Sequence, residues 1–286
     1  MILVIGASSF IGGYLMAALG SDRAIGTYRS TRLSNGIHFD AVTMRLTDVI
    51  EETHNFTHAV ILYAEPDIDA CKRDIKRSRL INVDSTSRVI EDLVKLGIKP
   101  IFTSSEYVFE GTKGNYSEED TATPTTIYGS QKLEIEKYLE SMVLDYTVLR
   151  LAKVYSTDPS DKTILSGWLR QIHSDQEIRC AADQIFSPIH VGDVTATIEA
   201  IINLNLTGIF NVGGPEPCSR LAMLRVMLEH TGLNGNVTEC SIKDFDFLDL
   251  RPLDLSMNID KLIQLSNVFP RSVKSSLTQF NDSVLS

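Results

Sequence analysis

The stretch Ile2-Leu3-Val4-Ile5-Gly6-Ala7-Ser8-Ser9-Phe10-Ile11-Gly12-Gly13 leaves this chain few architectures. Four apolar, partly β-branched residues suit a parallel strand buried on both faces. A helical pattern follows through Tyr14, Leu15, Ala18 and Leu19. Strand, glycine turn and helix in that order make a dinucleotide-binding fingerprint credible. Gly6 permits the tight turn and Gly12 lets helix and strand approach. The helix N-terminus offers free N–H groups and a positive dipole to a pyrophosphate. Ser9 stands where a middle glycine is often found; a serine can hydrogen-bond phosphate but crowds the backbone approach. Gly6, Ser8, Ser9, Phe10, Ile11 and Gly12 are the first candidate cofactor contacts. A plain β–α turn is the competing reading.

The second strand, Arg23 to Tyr28, ends without the Asp or Glu that would bond the ribose of NAD. Arg29 follows instead, and an arginine there can pair with the 2′-phosphate of NADP. NADP(H) is therefore preferred, with NAD(H) possible; a solvated loop arginine is the alternative. Ala41 to Leu46 reads as strand three, with Thr47-Asp48 capping the next helix. His58 to Ala64 reads as strand four, Lys99 to Ser104 as strand five and Asp145 to Leu151 as strand six. A long amphipathic helix covers Arg79 to Leu96. Ligands of open parallel sheets sit at the carboxyl ends of the strands. Leu46, Tyr63, Ala64, Glu65 and Thr103 join the candidate list. Strands alternating with helices predict an α/β fold, a doubly wound parallel sheet of Rossmann type.

Tyr128 and Lys132 lie four residues apart at the start of a helical segment, so both fall on one face. A free tyrosine has a pKa of about 10 and is a poor acid–base group at neutral pH. A nearby ammonium favours the phenolate and is expected to lower that value. Alone, the spacing also fits a partly buried aromatic beside a solvated lysine.

A chain of 286 residues is long enough for one large domain or a domain with a satellite lobe. The net charge of −10 argues against a general nucleic-acid or anionic-membrane binder. Cys71, Cys180, Cys218 and Cys240 form no C-x-x-C pair and match no zinc spacing, so reduced thiols are expected. No basic leader and no long apolar run appear, which points to a cytoplasmic protein without a membrane span.

The block Ser104-Ser105-Glu106-Tyr107-Val108-Phe109-Glu110-Gly111 carries a family likeness. So do Tyr116-Ser117-Glu118, Pro124 and Tyr128-Gly129-Ser130-Gln131-Lys132-Leu133-Glu134. Asp69 to Lys72, Ile81-Asn82-Val83, Pro188 to Val194, Arg251-Pro252, Leu255, Asp260 and Lys261 fit as well. On these residues the chain resembles the extended short-chain dehydrogenase/reductases, and among them the dTDP-4-dehydrorhamnose reductases. The resemblance covers most of the chain and implies an NADP(H)-dependent reductase of a nucleotide-linked 4-keto-6-deoxy sugar. It implies that Ser105 bonds the substrate carbonyl, that Tyr128 donates the proton and that Lys132 holds the nicotinamide ribose. Asn82 would support that relay. Glu106, Tyr107, Lys153 and Arg251 would meet the substrate, and a homodimer is possible. The expected division is a dinucleotide-binding domain over 1–152, completed by roughly 187–213. A smaller C-terminal substrate-binding lobe would comprise 153–186 and 214–286.

Departures from the pattern carry information. Lys153 replaces a sugar-lining tryptophan and suits a phosphate or carboxylate; Glu65 replaces a tyrosine beside the cofactor. Tyr14-Leu15 occupies the place of a metal-binding glutamate, so no metal is expected. The acid that follows Glu106 in sugar dehydratases is missing, which disfavours dehydration. A nucleotide-sugar epimerase retaining NAD and a cofactor-binding regulatory subunit, like that of methionine adenosyltransferase, are the alternatives.

Beyond Val154 the pattern is irregular. Helices are expected over Lys162 to His173, Val191 to Asn203 and Leu221 to Thr231, with Gly208 to Gly213 as strand seven. Phe186 to His190 reads as a return to the sheet, with His190 a structural histidine. Asp244, Asp246 and Asp249 read as a solvated acidic loop. Arg251 is equally a phosphate clamp or a structural ion pair, and Lys274 to Ser286 should fray.

Overall fold

The computed structural model describes residues 1–51 and 54–278. Its elements in order are β1 (Ile2–Ile5), α1 (Phe10–Leu19), β2 (Ala24–Tyr28), β3 (Ile37–His38), β4 (His58–Ile61), α2 (Ile68–Arg73), α3 (Ile75–Arg79) and α4 (Ser85–Lys95). Then come β5 (Lys99–Ser105), α5 (Ile127–Met142), β6 (Thr147–Leu151), β7 (Val154–Tyr155), α6 (Ile164–His173), β8 (Ile178–Ala181), β9 (Ile185–Phe186) and β10 (Ile189–His190). The chain continues through α7 (Val191–Leu204), β11 (Gly208–Val212), β12 (Cys218–Ser219), α8 (Arg220–Thr231), β13 (Val237–Cys240), α9 (Asp260–Ser266) and α10 (Val273–Leu277).

Seven strands form one parallel sheet in the order β11-β6-β5-β4-β1-β2-β3. Strand alternation divides its burial between two faces. Ile2 and Val4 of β1 enter one apolar cluster with Leu15, Leu149, Ile198 and Phe210. Leu3 and Ile5 enter the other with Phe39, Ile90, Leu93 and Leu139. Each fully buried Leu or Ile contributes about 1.5–3 kcal/mol to this packing. A third cluster, built on Tyr155, Leu165, Trp168, Phe186, Met223 and Leu277, holds α6, α8 and α10 together.

Strand three is a correction: it is Ile37–His38, not Ala41 to Leu46. Asp40 turns the chain there, its carboxylate accepting from Val42 N–H at 3.0 Å and its carbonyl from the Thr43 and Met44 amides. Asp92 then takes the Leu46 amide at 2.8 Å, pinning a 3-10 turn over Leu46–Asp48. Strand four stops at Ile61. The expected helix from Arg79 is interrupted by a π-turn over Leu80–Asp84, the segment carrying Asn82. Phe186 to His190 also differs from expectation. It splits between β9, paired with β12, and β10, paired with β7, outside the seven-stranded sheet. Lys274 does not begin a frayed end: it lies in α10, whose Leu277 is fully buried. The remainder of that segment, 279–286, lies outside the described residues.

Candidate active site

A cleft of about 1250 Å³ runs along the carboxyl ends of β1, β4, β5 and β6, walled on its far side by residues of the third cluster and the loops around it. At one end lies the glycine turn. Gly6 has φ +87°, which L side chains rarely adopt. A Cβ on Gly12 would sit 2.5 Å from Gly6 O, so only glycine lets α1 approach the strand this closely. Ser9 caps α1, its Oγ accepting from Gly12 N–H at 3.2 Å; its hydroxyl serves the helix first. Ser8, Ser9, Phe10 and Ile11 line the cleft where the first amides of the helix have no intrahelical partner. This cradle fits a pyrophosphate. Arg29 lies exposed at the cleft edge beside Ser30 and Thr31, with no carboxylate within 4.0 Å among the described residues.

Tyr63, Ala64 and Glu65 line the cleft after β4. Asn82 does not reach the cleft wall. Its Oδ1 accepts from Glu65 N–H at 2.8 Å and its Nδ2 donates to Glu65 O at 3.1 Å and Gln131 Oε1 at 2.8 Å. It thereby ties the end of β4 to α5 through the π-turn. Leu46 is a correction: it is fully buried in the core and does not line the cleft. Thr103 lines it, its hydroxyl spent on Ile61 O at 2.8 Å.

Ser105 closes β5, and Tyr128 and Lys132 stand one turn apart on α5; the fold brings all three to the cleft. Thr126 caps α5, its Oγ1 accepting from Gly129 N–H at 3.0 Å. A Cβ on Gly129 would fall 2.0 Å from Tyr107 O, so glycine lets the helix press on the Glu106–Val108 turn. The rings of Tyr107 and Tyr128 meet edge to face at 6.2 Å. Lys132 is buried, its Nζ donating to Thr103 O at 2.8 Å and lying 5.7 Å from the Tyr128 ring centroid.

The electrostatics differ from the simple expectation for a Tyr-x-x-x-Lys pair. Burial pushes the Tyr128 phenol up rather than down, while the Ser105 hydroxyl pulls against it. Burial also pushes the Lys132 ammonium down to about 8. The Lys132 ammonium, itself desolvated, is engaged by the Thr103 carbonyl. Like any phenol, Tyr128 is protonated at neutral pH, and burial makes it a weaker acid than a free tyrosine. Beneath it, Arg150 and Glu136 form a buried pair at 2.8 Å, and Ser104 donates to the same carboxylate. The pair anchors α5 to β5 and β6.

The substrate candidates lie farther along. Glu106 is buried with Oε2 unpartnered, and burial pushes its carboxyl up to about 8 against the pull of Lys153 and Arg220. Tyr107 is pushed to about 12 by burial. Lys153 stands exposed in the open cleft. Arg251 pairs with Asp69 at 2.9 Å and lies 4.2 Å over the Phe247 ring, so the structural ion pair exists on the cleft wall. The solvated acidic loop is corrected at Asp249, which is 7 % exposed and accepts from Ile127 N–H at 2.9 Å. His190 caps α7, its Nδ1 accepting from Gly192 N–H at 3.1 Å. Tyr14 donates to Asp161 at 2.7 Å, tying α1 to the loop before α6.

Among the cleft and supporting residues that escaped the sequence reading are Arg220, Gln184 and Gln131. Arg220 is the first residue of α8 and resembles any helix-start arginine until the fold turns it into the cleft. Gln131 lay inside the quoted Tyr-Gly-Ser-Gln-Lys stretch, and its role beside Asn82 needed the tertiary contact.

The whole chain, residues 1–286, matches the family model described as RmlD substrate binding domain. A spore coat polysaccharide biosynthesis protein, SpsK, of Bacillus subtilis is 26 % identical over 257 residues, 86 % of this chain and 88 % of that protein. A dTDP-4-dehydrorhamnose reductase of Sinorhizobium fredii is 28 % identical over 215 residues, 71 % of this chain and 72 % of that one. The bovine methionine adenosyltransferase 2 subunit beta matches over less, 28 % identical over 181 residues, 59 % of this chain and 54 % of that protein. Among solved structures, dTDP-4-dehydrorhamnose reductase of Bacillus anthracis in complex with NADP superposes with a TM-score of 0.84 at 20 % identity. That superposition covers 98 % of this chain and 97 % of the other and shows the shared fold. The chain belongs to the RmlD substrate-binding family, the dTDP-4-dehydrorhamnose reductase-like NAD(P)-dependent oxidoreductases.

Proposed function

We propose that this protein reduces the ketone of a nucleotide-linked sugar, of the 4-keto-6-deoxy class its relatives suggest, with NADPH preferred over NADH. The observation that carries the reading is the convergence of Ser105, Tyr128 and Lys132 on one cleft whose other end is a glycine-turn cradle. When bound, the cofactor supplies the hydride. Residues of this chain do the rest. Ser105 and Tyr128 hydrogen-bond the carbonyl oxygen and polarise it. Tyr128, protonated at neutral pH as any phenol is, passes its proton to that oxygen as negative charge develops there. Lys132, fixed by the Thr103 carbonyl, positions the cofactor ribose and restores charge balance at the phenol. Arg29, free of any acidic neighbour within 4.0 Å among the described residues, suits a 2′-phosphate.

The test is NADPH oxidation by the purified protein with dTDP-4-keto-6-deoxy sugar, with NADH run alongside. Turnover with NADPH favoured supports the reading. Tight NADPH binding without turnover of any ketosugar overturns it in favour of a cofactor-binding regulatory subunit.

A further inference from the structure

We propose that Glu106, Lys153 and Arg220 form a specificity site for a carboxylate on the sugar ring, next to the carbon that is reduced. The proposal rests on the reductase reading for the place of the reacting carbon and departs from its 6-deoxy class: the carboxylate stands where a 6-deoxy sugar carries its methyl.

The three residues come from three elements. Ser105 of β5 pairs with Leu151 of β6. Glu106 and Lys153 therefore leave adjacent strands just past a paired position, beside Ser105. Arg220 arrives from the N-terminus of α8. Its Nε donates to Gln184 Oε1 at 2.6 Å, and Gln184, 4 % exposed, is held in turn by Pro252 O at 3.3 Å. The guanidinium carbon lies 5.5 Å over the Phe186 ring. With Nε engaged and the plane set, the two terminal nitrogens form a preset fork.

None of the three forms a salt bridge within 4.0 Å among the described residues, yet each acts on the others. Lys153 and Arg220 both pull on the Glu106 carboxyl, and Arg220 pushes Lys153 down. Glu106 is 5 % exposed, lines the cleft and has a bare Oε2. A buried polar atom without a partner inside a ligand cleft is one that the ligand completes. Two cationic side chains act on one carboxyl, so the cluster is net positive and rejects an amino group. A neutral hydroxyl leaves both cations unbalanced beside a Glu106 that retains its proton. A carboxylate meets both cations, and a Glu106 that retains its proton donates to it.

Simple ring chemistry separates this group from the diphosphate. The diphosphate hangs on the anomeric carbon, across the ring from the carbonyl carbon. A group next to Ser105 instead meets a substituent on a neighbour of the reacting carbon. Arg251, braced by Asp69 and Phe247, stands as a separate cation for the nucleotide side.

The experiment is calorimetric titration of the NADP-loaded full chain with UDP- and dTDP-linked glucuronate, the matching glucose compounds, and free UDP and dTDP. The stable 4-hydroxy compounds stand for the product side. The expected result is glucuronate binding about tenfold or more tighter than glucose, the worth of one charge-assisted hydrogen bond. Lys153→Met and Arg220→Met should each erase most of that preference and leave free UDP and dTDP unchanged. Lys153→Arg should keep it. Equal affinity for the two sugars, or no binding of either, overturns the proposal. An equal loss of free nucleotide in the two Met variants also overturns it, since the cations would then hold the diphosphate. Ketosugar turnover is scored separately. Turnover without a glucuronate preference removes this site and leaves the reductase reading. A glucuronate preference without turnover does the reverse.

Discussion

Asp249 Oδ2 accepts a hydrogen bond from Ile127 N–H at 2.9 Å, although the two residues lie 122 positions apart. Ile127 is the first residue of the helix that carries Tyr128 and Lys132. A loop of the C-terminal part of the chain therefore caps that helix. Asp249 also pairs with Lys72 at 3.7 Å. Asp249→Ala should cost about 1–3 kcal/mol in urea unfolding by leaving a buried helix amide unmet. It should also lower kcat, whereas Asp249→Asn, which keeps the acceptor, should recover most of both. Equal loss in the two variants would assign the effect to the Lys72 charge pair instead.

Tyr128→Phe removes the only hydroxyl that the reading assigns to proton donation. Turnover should fall by about 10²–10⁴ while NADPH affinity, read by fluorescence titration, stays near wild type. Activity within a few-fold of wild type would end the proposed mechanism.

Arg29 lies at the cleft edge with no carboxylate within 4.0 Å among the described residues. Arg29→Ala should weaken NADPH binding about ten- to a hundredfold, the worth of charge-assisted bonds to a phosphate, and leave NADH nearly unchanged. A parallel loss for both cofactors would show that Arg29 acts through the shared part of the nucleotide.

Glu136 and Arg150 are 3 % and 4 % exposed at the side chain and bond to each other under α5. Removing one partner strands a buried charge. Glu136→Ala should cost about 3–5 kcal/mol in chemical denaturation. The double variant Glu136→Leu with Arg150→Met should lie much closer to wild type, because no charge is left alone.

Glu106 makes stability depend on pH with a definite sign. Its carboxyl titrates at about 8 in the folded chain against an ordinary value of 4.5. Between those values the unfolded chain releases the proton and the folded chain keeps it, so stability falls as pH rises through the window. Glu106→Gln should abolish that part of the slope. In thermal melts the variant should match wild type near pH 4.5 and exceed it by pH 8. A variant advantage constant with pH would show that the residue titrates normally.

How much was legible in the sequence depended on how local each feature was. The β1–glycine turn–α1 unit follows from neighbouring residues, and Tyr128 with Lys132 follows from helical spacing. The family resemblance added the role of Ser105. Ala41 to Leu46 read as a strand because its apolar residues fit one. Asp40 and the distant Asp92 made it a turn, and Leu46 went to the core instead of the cofactor. Asn82 was picked out, but its hold on Glu65 and Gln131 needed the π-turn and α5 to meet.

By itself, then, the sequence determined the alternation of strand and helix, the glycine approach and the one-turn pairing of tyrosine and lysine. These depend on backbone sterics and side-chain spacing within a short window. Tertiary structure alone decided that Asp249 caps α5, that Glu106, Lys153 and Arg220 line one cleft, and that burial raises the Tyr128 phenol instead of lowering it. Capping across 122 residues and the desolvation of a charge depend on which distant atoms surround a group. No pattern of neighbours along the chain encodes that surrounding.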